Sequence, residues 1–138
     1  MLDKIIPYLP FAGIIIGASL QYFFTRHIEY SRSLRDMKTK AYTDYLKIVS
    51  EQAQISSGDI GKCREIFGKT ADAKGRICLY GSASVIQAFA EFEKLGASMG
   101  TKFQRDAFIS MVMLMRKDAG LKKLPAGSDV SIVLLSYR

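Results

Sequence analysis

An apolar run near the start of the chain constrains the fold more than any other feature of the sequence. The run extends from Ile5 to Phe24, and Gln21 is the only strongly polar residue within it. A transmembrane helix needs about 20 mainly apolar residues, because each residue adds about 1.5 Å toward a hydrocarbon core of about 30 Å. The sequence therefore predicts a transmembrane anchor over residues 1–25. A cleaved signal peptide fits less well, because its apolar core is only about 7–15 residues long.

The residues after this run carry an excess of positive charge. The cations expected near the membrane surface are Arg26, Arg32, Arg35, Lys38 and Lys40. Because Lys and Arg beside a membrane helix are retained in the cytoplasm, they predict a single-pass protein of the inner membrane with its N-terminus outside and a cytoplasmic C-terminal domain. Attraction to an anionic lipid leaflet, about 1 kcal/mol per cation, accounts for the net charge of +7 without nucleic acid as a partner.

Glycine and proline mark the expected helix boundaries in the rest of the chain. Neither occurs between Gly17 and Gly58, so the first helix should continue unbroken to about Ile55. Ser57 or Asp59, then Ser82 and Thr101, are expected to cap the helices that follow. The tail 128–138 suits either a strand or a helix, and helix is preferred because the sequence offers no partner strand.

Apolar residues at three- and four-residue spacing predict the faces of these helices that point to the core. For the first helix they are Tyr30, Leu34, Met37, Ala41, Tyr45, Ile48, Val49 and Ala53, and for the second Ile60, Cys63, Phe67, Ala71, Ile77 and Cys78. For the third they are Val85, Ile86, Phe89, Phe92 and Leu95, and for the fourth Phe103, Ala107, Phe108, Met111, Val112, Leu114 and Met115. We therefore expect an all-α antiparallel bundle of four to five helices over residues 26–138, whose first helix is continuous with the transmembrane helix.

Small and polar residues recur along one side of the apolar run. Gly13, Gly17, Gln21 and Thr25 are spaced four residues apart and form what we call the ridge. Small residues at this spacing allow two helix backbones to approach closely, and a glutamine in hydrocarbon is most easily satisfied by a partner helix. The ridge therefore predicts a homo-oligomer.

The sequence contains little that indicates catalysis. The only histidine, His27, lies beside Arg26, where a solvated side chain is expected rather than a general base. There is no phosphate-binding loop and no set of residues at metal-ligand spacing, so we expect no enzyme activity, no metal and no cofactor. Cys63 and Cys78 are expected to be buried as small apolar residues.

One turn is a candidate for binding a ligand or a protein partner. Tyr80 and Ser82 flank Gly81, and Arg76 lies one helical turn before Tyr80. A tyrosine, a glycine and a nearby cation could bind a peptide or a phosphate. The alternative is that the turn only caps the third helix through Ser82.

Three segments carry a resemblance to known proteins. Over most of residues 30–138, the chain resembles a group of small bacterial single-pass membrane proteins. The segments that carry this resemblance are the basic segment after the predicted membrane helix, RICLYGSASVIQAFAEF and MRKDAGL. This resemblance implies an anchored helical bundle and no particular activity. In layout alone, the chain is similar to the pore-forming membrane accessory protein of RNA-targeting CRISPR systems, in which a membrane helix precedes a ribonuclease-like bundle. It lacks the arginine that such ribonuclease domains place four to six residues before their histidine.

Two functional hypotheses follow. The first is a membrane-anchored, self-associating helical module that presents its bundle to a cytoplasmic protein partner at the inner face of a prokaryotic membrane. The second is a homo-oligomeric effector of antiviral defence that forms a pore or perturbs the membrane, with Gln21 and Thr25 facing its lumen.

Overall fold

The computed structural model of this chain describes residues 9–54 and 60–136. These residues form five α-helices and no strand. The helices are α1 (Leu9–Gln52), α2 (Ile60–Tyr80), α3 (Ala83–Lys94), α4 (Lys102–Asp118) and α5 (Gly127–Leu135). The predicted all-α class is therefore confirmed, as is the choice of helix over strand for the described part of the tail. The predicted caps Ser57 and Asp59 lie outside the described residues.

The structure does not support the predicted transmembrane helix. None of the described helices combines the length and the apolar character that crossing a membrane requires. Within the described residues the apolar run extends only from Leu9 to Phe24, which is shorter than the about 20 residues that a bilayer demands. The remainder of the predicted span, Ile5 to Tyr8, lies outside them. The predictions of a single-pass membrane protein and of an inner-membrane location were therefore wrong for the chain as described.

The chain divides into two compact units, residues up to Leu34 and residues from Arg35 onward. The second unit has a hydrophobic core to which α1, α2, α3 and α4 all contribute. In this core the ring of Tyr45 meets that of Phe89 edge-on, with centroids 4.9 Å apart, and the rings of Phe92 and Phe108 lie 5.4 Å apart. Helix α4 packs against both α3 and α5.

The predicted core faces were largely right for two helices, but Leu95 and Phe103, which were also predicted to point to the core, are exposed. Val85, Phe89 and Phe92 of α3 are buried, and so are four of the residues predicted for α4, Phe108, Met111, Val112 and Met115. Thr101 also forms the predicted capping box, because its side chain accepts a hydrogen bond from the Gln104 backbone N–H while its own N–H donates to the Gln104 side chain. In α1, Ala41, Tyr45 and Ile48 are buried as predicted, whereas Tyr30 and Met37 are exposed.

The predicted core face of α2 was mostly wrong. The buried residues of this helix are Ile66, Ala73 and Ile77, and only Ile77 belongs to the predicted set. Ile60, Phe67 and both cysteines, Cys63 and Cys78, are exposed. Two sets of apolar residues follow helical spacing in α2, and periodicity alone does not tell which of them meets the core.

Candidate functional site

Asp118, at the end of α4, connects distant parts of the described chain through its carboxylate. Its carboxylate accepts hydrogen bonds from the Tyr42 hydroxyl at 2.5 Å, from Lys38 Nζ at 3.1 Å and from the Ser82 backbone N–H at 3.2 Å. The side chain of Asp118 is only 13% exposed and that of Lys38 only 18%. We call these four residues the Asp118 cluster. It joins the middle of α1, the start of α3 and the end of α4.

The protonation states of the Asp118 cluster follow from its surroundings. Burial raises the pKa of the Tyr42 hydroxyl above its ordinary value, and the hydrogen bond to Asp118 raises it further. Burial also acts to raise the pKa of Asp118, but the hydrogen bonds from Tyr42, Lys38 and Ser82 outweigh it and lower that pKa. At neutral pH, Asp118 is therefore an ionised acceptor and Tyr42 a protonated donor. A carboxylate with a lowered pKa and three donors around it is a poor general base, so the cluster is suited to holding helices together.

Gly81 lies against the Asp118 cluster at a point where the chain has no room for a side chain. Its backbone N–H donates to the Ile77 carbonyl oxygen at 2.8 Å. A β-carbon on Gly81 would lie 2.6 Å from that same oxygen and 3.3 Å from the Tyr42 hydroxyl. The close approach of α2 to Tyr42 therefore depends on glycine at this position.

Replacing Gly81 by alanine is expected to lower the free energy of unfolding by about 1–3 kcal/mol, because the added carbon overlaps a backbone atom that is held within a helix. Chemical denaturation followed by circular dichroism measures this change. Gly75→Ala is the matched control, because a β-carbon on this α2 glycine meets open space; it should be neutral or stabilising. Equal losses from both substitutions would contradict the account of Gly81.

Two of the three residues of the predicted ligand turn, Arg76 and Ser82, make side-chain contacts with other residues. The guanidinium of Arg76 binds the carboxylates of Asp44 and Asp72, each at 2.7 Å. Ser82 is the N-cap residue before α3, yet its hydroxyl makes no capping bond and instead lies 3.1 Å from that of Ser84. Tyr80 is partly buried. Because two acids already neutralise Arg76, a phosphate would have to compete with them, and the ligand role of this turn stays a prediction.

The five predicted surface cations differ in their contacts. Lys38 belongs to the Asp118 cluster and is not a free surface charge. Arg26 donates to the Tyr22 hydroxyl at 3.2 Å, and Arg32, Arg35 and Lys40 are exposed. A partner that binds through negative charge would therefore contact the other four cations rather than Lys38.

The ridge of α1 is open to solvent. A β-carbon on Gly13 or on Gly17 would meet nothing within 4 Å, and Gln21 and Thr25 are exposed. Most of the large apolar side chains around the ridge are exposed as well. The ridge is therefore available for contact with another helix.

The described residues bring together no group of three or more His, Cys, Asp or Glu side chains that could hold a metal ion. Sequence reasoning did not identify the Asp118 cluster, because Asp118 lies 80 residues from Lys38 and 76 from Tyr42. The only local signal is an acid at the end of a helix, where a cation is the usual preference.

Comparisons of this chain with protein-family models, with curated proteins and with solved structures found no match.

Proposed function

We propose that this chain is a non-catalytic helical interaction module that self-associates through the first part of α1, from Phe11 to Ile28. The observation that supports this proposal is the exposure of the apolar side chains in that segment. Those that leave more than half of their surface exposed are Phe11, Ile14, Ile15, Ile16, Leu20, Tyr22, Phe23, Phe24 and Ile28. We call this segment the apolar segment.

Exposing such an apolar segment to water is energetically unfavourable. Consecutive residues of a helix point about 100° apart, so Ile14, Ile15 and Ile16 together make the helix apolar on several sides. A helix that is apolar all round is normally buried, and an exposed patch of this kind marks an interaction surface. Burying one such isoleucine or phenylalanine contributes about 1.5–3 kcal/mol, so a few of them suffice to drive association.

A second copy of the same chain fits the apolar segment well. The residues from Leu9 to Thr25 contain no charged side chain, although the chain as a whole carries a net charge of +7. From Leu9 to Thr25, two copies can therefore pack without bringing like charges together. The open space beside Gly13 and Gly17 allows the backbones to approach closely, and a symmetric dimer would use the same surface on both copies.

Replacing Gly17 by isoleucine is expected to shift the protein toward smaller species, because the branched side chain holds the two backbones apart at the ridge. Size-exclusion chromatography with light scattering, at matched protein concentrations, measures the mass. Gly68→Ile is the matched control, because Gly68 also lies in a helix with open space around its β-carbon but outside the apolar segment. It should leave the mass unchanged.

An unchanged mass for Gly17→Ile, beside an associated wild type, would show that the ridge is not at the interface. A wild type that stays monomeric at the highest concentration would contradict self-association itself. The predicted pore is not part of this proposal, because it depends on a helix that spans a membrane.

A further inference from the structure

A cleft of about 520 Å³ opens between α1, α2 and α3. One wall is apolar and includes Val49, Ile66 and Phe67. Small-molecule sites in proteins have this size and are mostly apolar, with a few polar groups that orient the ligand. All lining residues lie in the unit that begins at Arg35, so this site is separate from the apolar segment proposed for self-association.

The polar groups of this cleft lie together. Lys74 Nζ and Glu93 Oε1 are 2.8 Å apart. Tyr45 also lines the cleft and is only 3% exposed, and its hydroxyl makes no hydrogen bond to any residue that the structure describes. Burial, and then the negative charge of Glu93, raise the pKa of Tyr45 to about 12. The hydroxyl is therefore a protonated donor at neutral pH, and no described residue accepts its hydrogen bond.

We propose that this cleft binds a small, uncharged amphipathic molecule with an elongated apolar body and a carboxamide head. The charges around Tyr45 determine which head group fits the cleft. A carboxylate would accept from Tyr45 but meet the negative charge of Glu93, and an ammonium would meet the positive charge of Lys74. A carboxamide offers a carbonyl oxygen to the Tyr45 hydroxyl and N–H groups to the Glu93 carboxylate, so it satisfies both without a net charge.

The shape of the body follows from a second cleft, of about 450 Å³, which shares Val49, Gln52, Ala97 and Met99 with the first. It continues past Phe108 toward the end of α5. An apolar chain that starts beside Tyr45 can therefore extend along the bundle, and a straight alkyl chain fits this path better than a compact ring system.

The two cysteines provide a direct assay. Cys63 lines the cleft, whereas Cys78 is exposed on the same helix and does not line it. In Cys78→Ser, octanamide is expected to slow the alkylation of Cys63 by N-ethylmaleimide in a saturable manner. In Cys63→Ser, it should leave the alkylation of Cys78 unchanged. Between hexanamide and decanamide, affinity should rise about fourfold for each added methylene group. Equal protection of both cysteines, or of neither, would overturn the proposal.

Two substitutions test the head group. Tyr45→Phe is expected to weaken octanamide about tenfold, while Tyr30→Phe, which changes an exposed tyrosine of the same helix, should have no effect. Glu93→Gln should improve the binding of octanoate about tenfold relative to octanamide, because the opposing charge is removed. The proposal fails if octanoate or octylammonium protects Cys63 of the otherwise unchanged chain as well as octanamide does. It fails equally if Tyr45→Phe and Glu93→Gln both leave these affinities unchanged.

Discussion

Replacing Phe92 by alanine is expected to lower the free energy of unfolding by about 3–5 kcal/mol, the usual cost of removing a buried aromatic ring. Phe92 is only 1% exposed, and its ring packs against that of Phe108 at 5.4 Å. The substitution therefore removes both apolar burial and an aromatic contact between α3 and α4. Urea denaturation at a fixed protein concentration measures the change, because association would otherwise add to the apparent stability.

Phe103 provides the matched control for Phe92. It undergoes the same chemical change on substitution by alanine, but it is 79% exposed. Phe103→Ala should therefore change the free energy of unfolding by less than about 0.5 kcal/mol. Similar losses for the two variants would mean that the core of the second unit does not lie where the structure places it.

The second large effect is expected at Asp118. Asp118→Asn keeps the shape of the side chain but removes its charge, so the half-buried Lys38 loses its counter-ion and Tyr42 and Ser82 lose their ionised acceptor. Breaking a partly buried network in this way should lower the free energy of unfolding by about 2–4 kcal/mol. Asp106→Asn, an exposed position on the same helix, is the control and should have little effect. Equal effects would show that the Asp118 cluster does not stabilise the fold.

The contribution of Asp118 should also depend on pH. Its pKa in the folded protein is lowered, so the folded state holds the proton less tightly than the unfolded chain, where the pKa is about 3.9. The stabilisation is therefore fully present above about pH 4 and is lost as the pH falls through the folded-state pKa. Wild-type and Asp118→Asn proteins should accordingly differ most near neutral pH, and the difference should shrink below about pH 4.

Local patterns in the sequence predicted α3 and α4 well. Each of these helices has a single main apolar face, and the capping box of Thr101 and Gln104 marks where α4 begins. In such a helix, the apolar face that residue spacing predicts is also the face that packs on the core. In α2 the spacing does not identify the buried face, because Phe67 and Ile66 lie on different faces and both faces are apolar at helical spacing. Only the packing of α2 against α1 and α3 decides that Ile66 is buried and Phe67 exposed.

The polar contacts of the Asp118 cluster could not be predicted from the sequence for a different reason. Lys38, Tyr42 and Asp118 meet only because the bundle brings α1 and the end of α4 together. No residue spacing or sequence motif predicts a contact between residues so far apart along the chain. The same holds for the cleft, where Tyr45 and Glu93 come from different helices.

The apolar run of α1 shows how far composition carries an inference. Ile14, Phe23 and Phe24 in this run are exposed, like most of its large apolar side chains. The step from an apolar helix to a membrane span was the part that failed, since the described helices contain no segment of sufficient length and apolar character. A stretch shorter than about 20 residues also suits burial against protein.

The most direct test of self-association through the apolar segment is a disulfide crosslink at the ridge. Gly17→Cys, made in a chain that also carries Cys63→Ser and Cys78→Ser, places a single thiol where two copies should meet. Mild oxidation is expected to convert most of the 15.4 kDa chain into a species of twice that mass. Thr43→Cys, an exposed position of the same helix outside the apolar segment, should form far less of it. Equal crosslinking of the two variants, or none at Gly17→Cys while the protein is associated, would contradict the proposed interface.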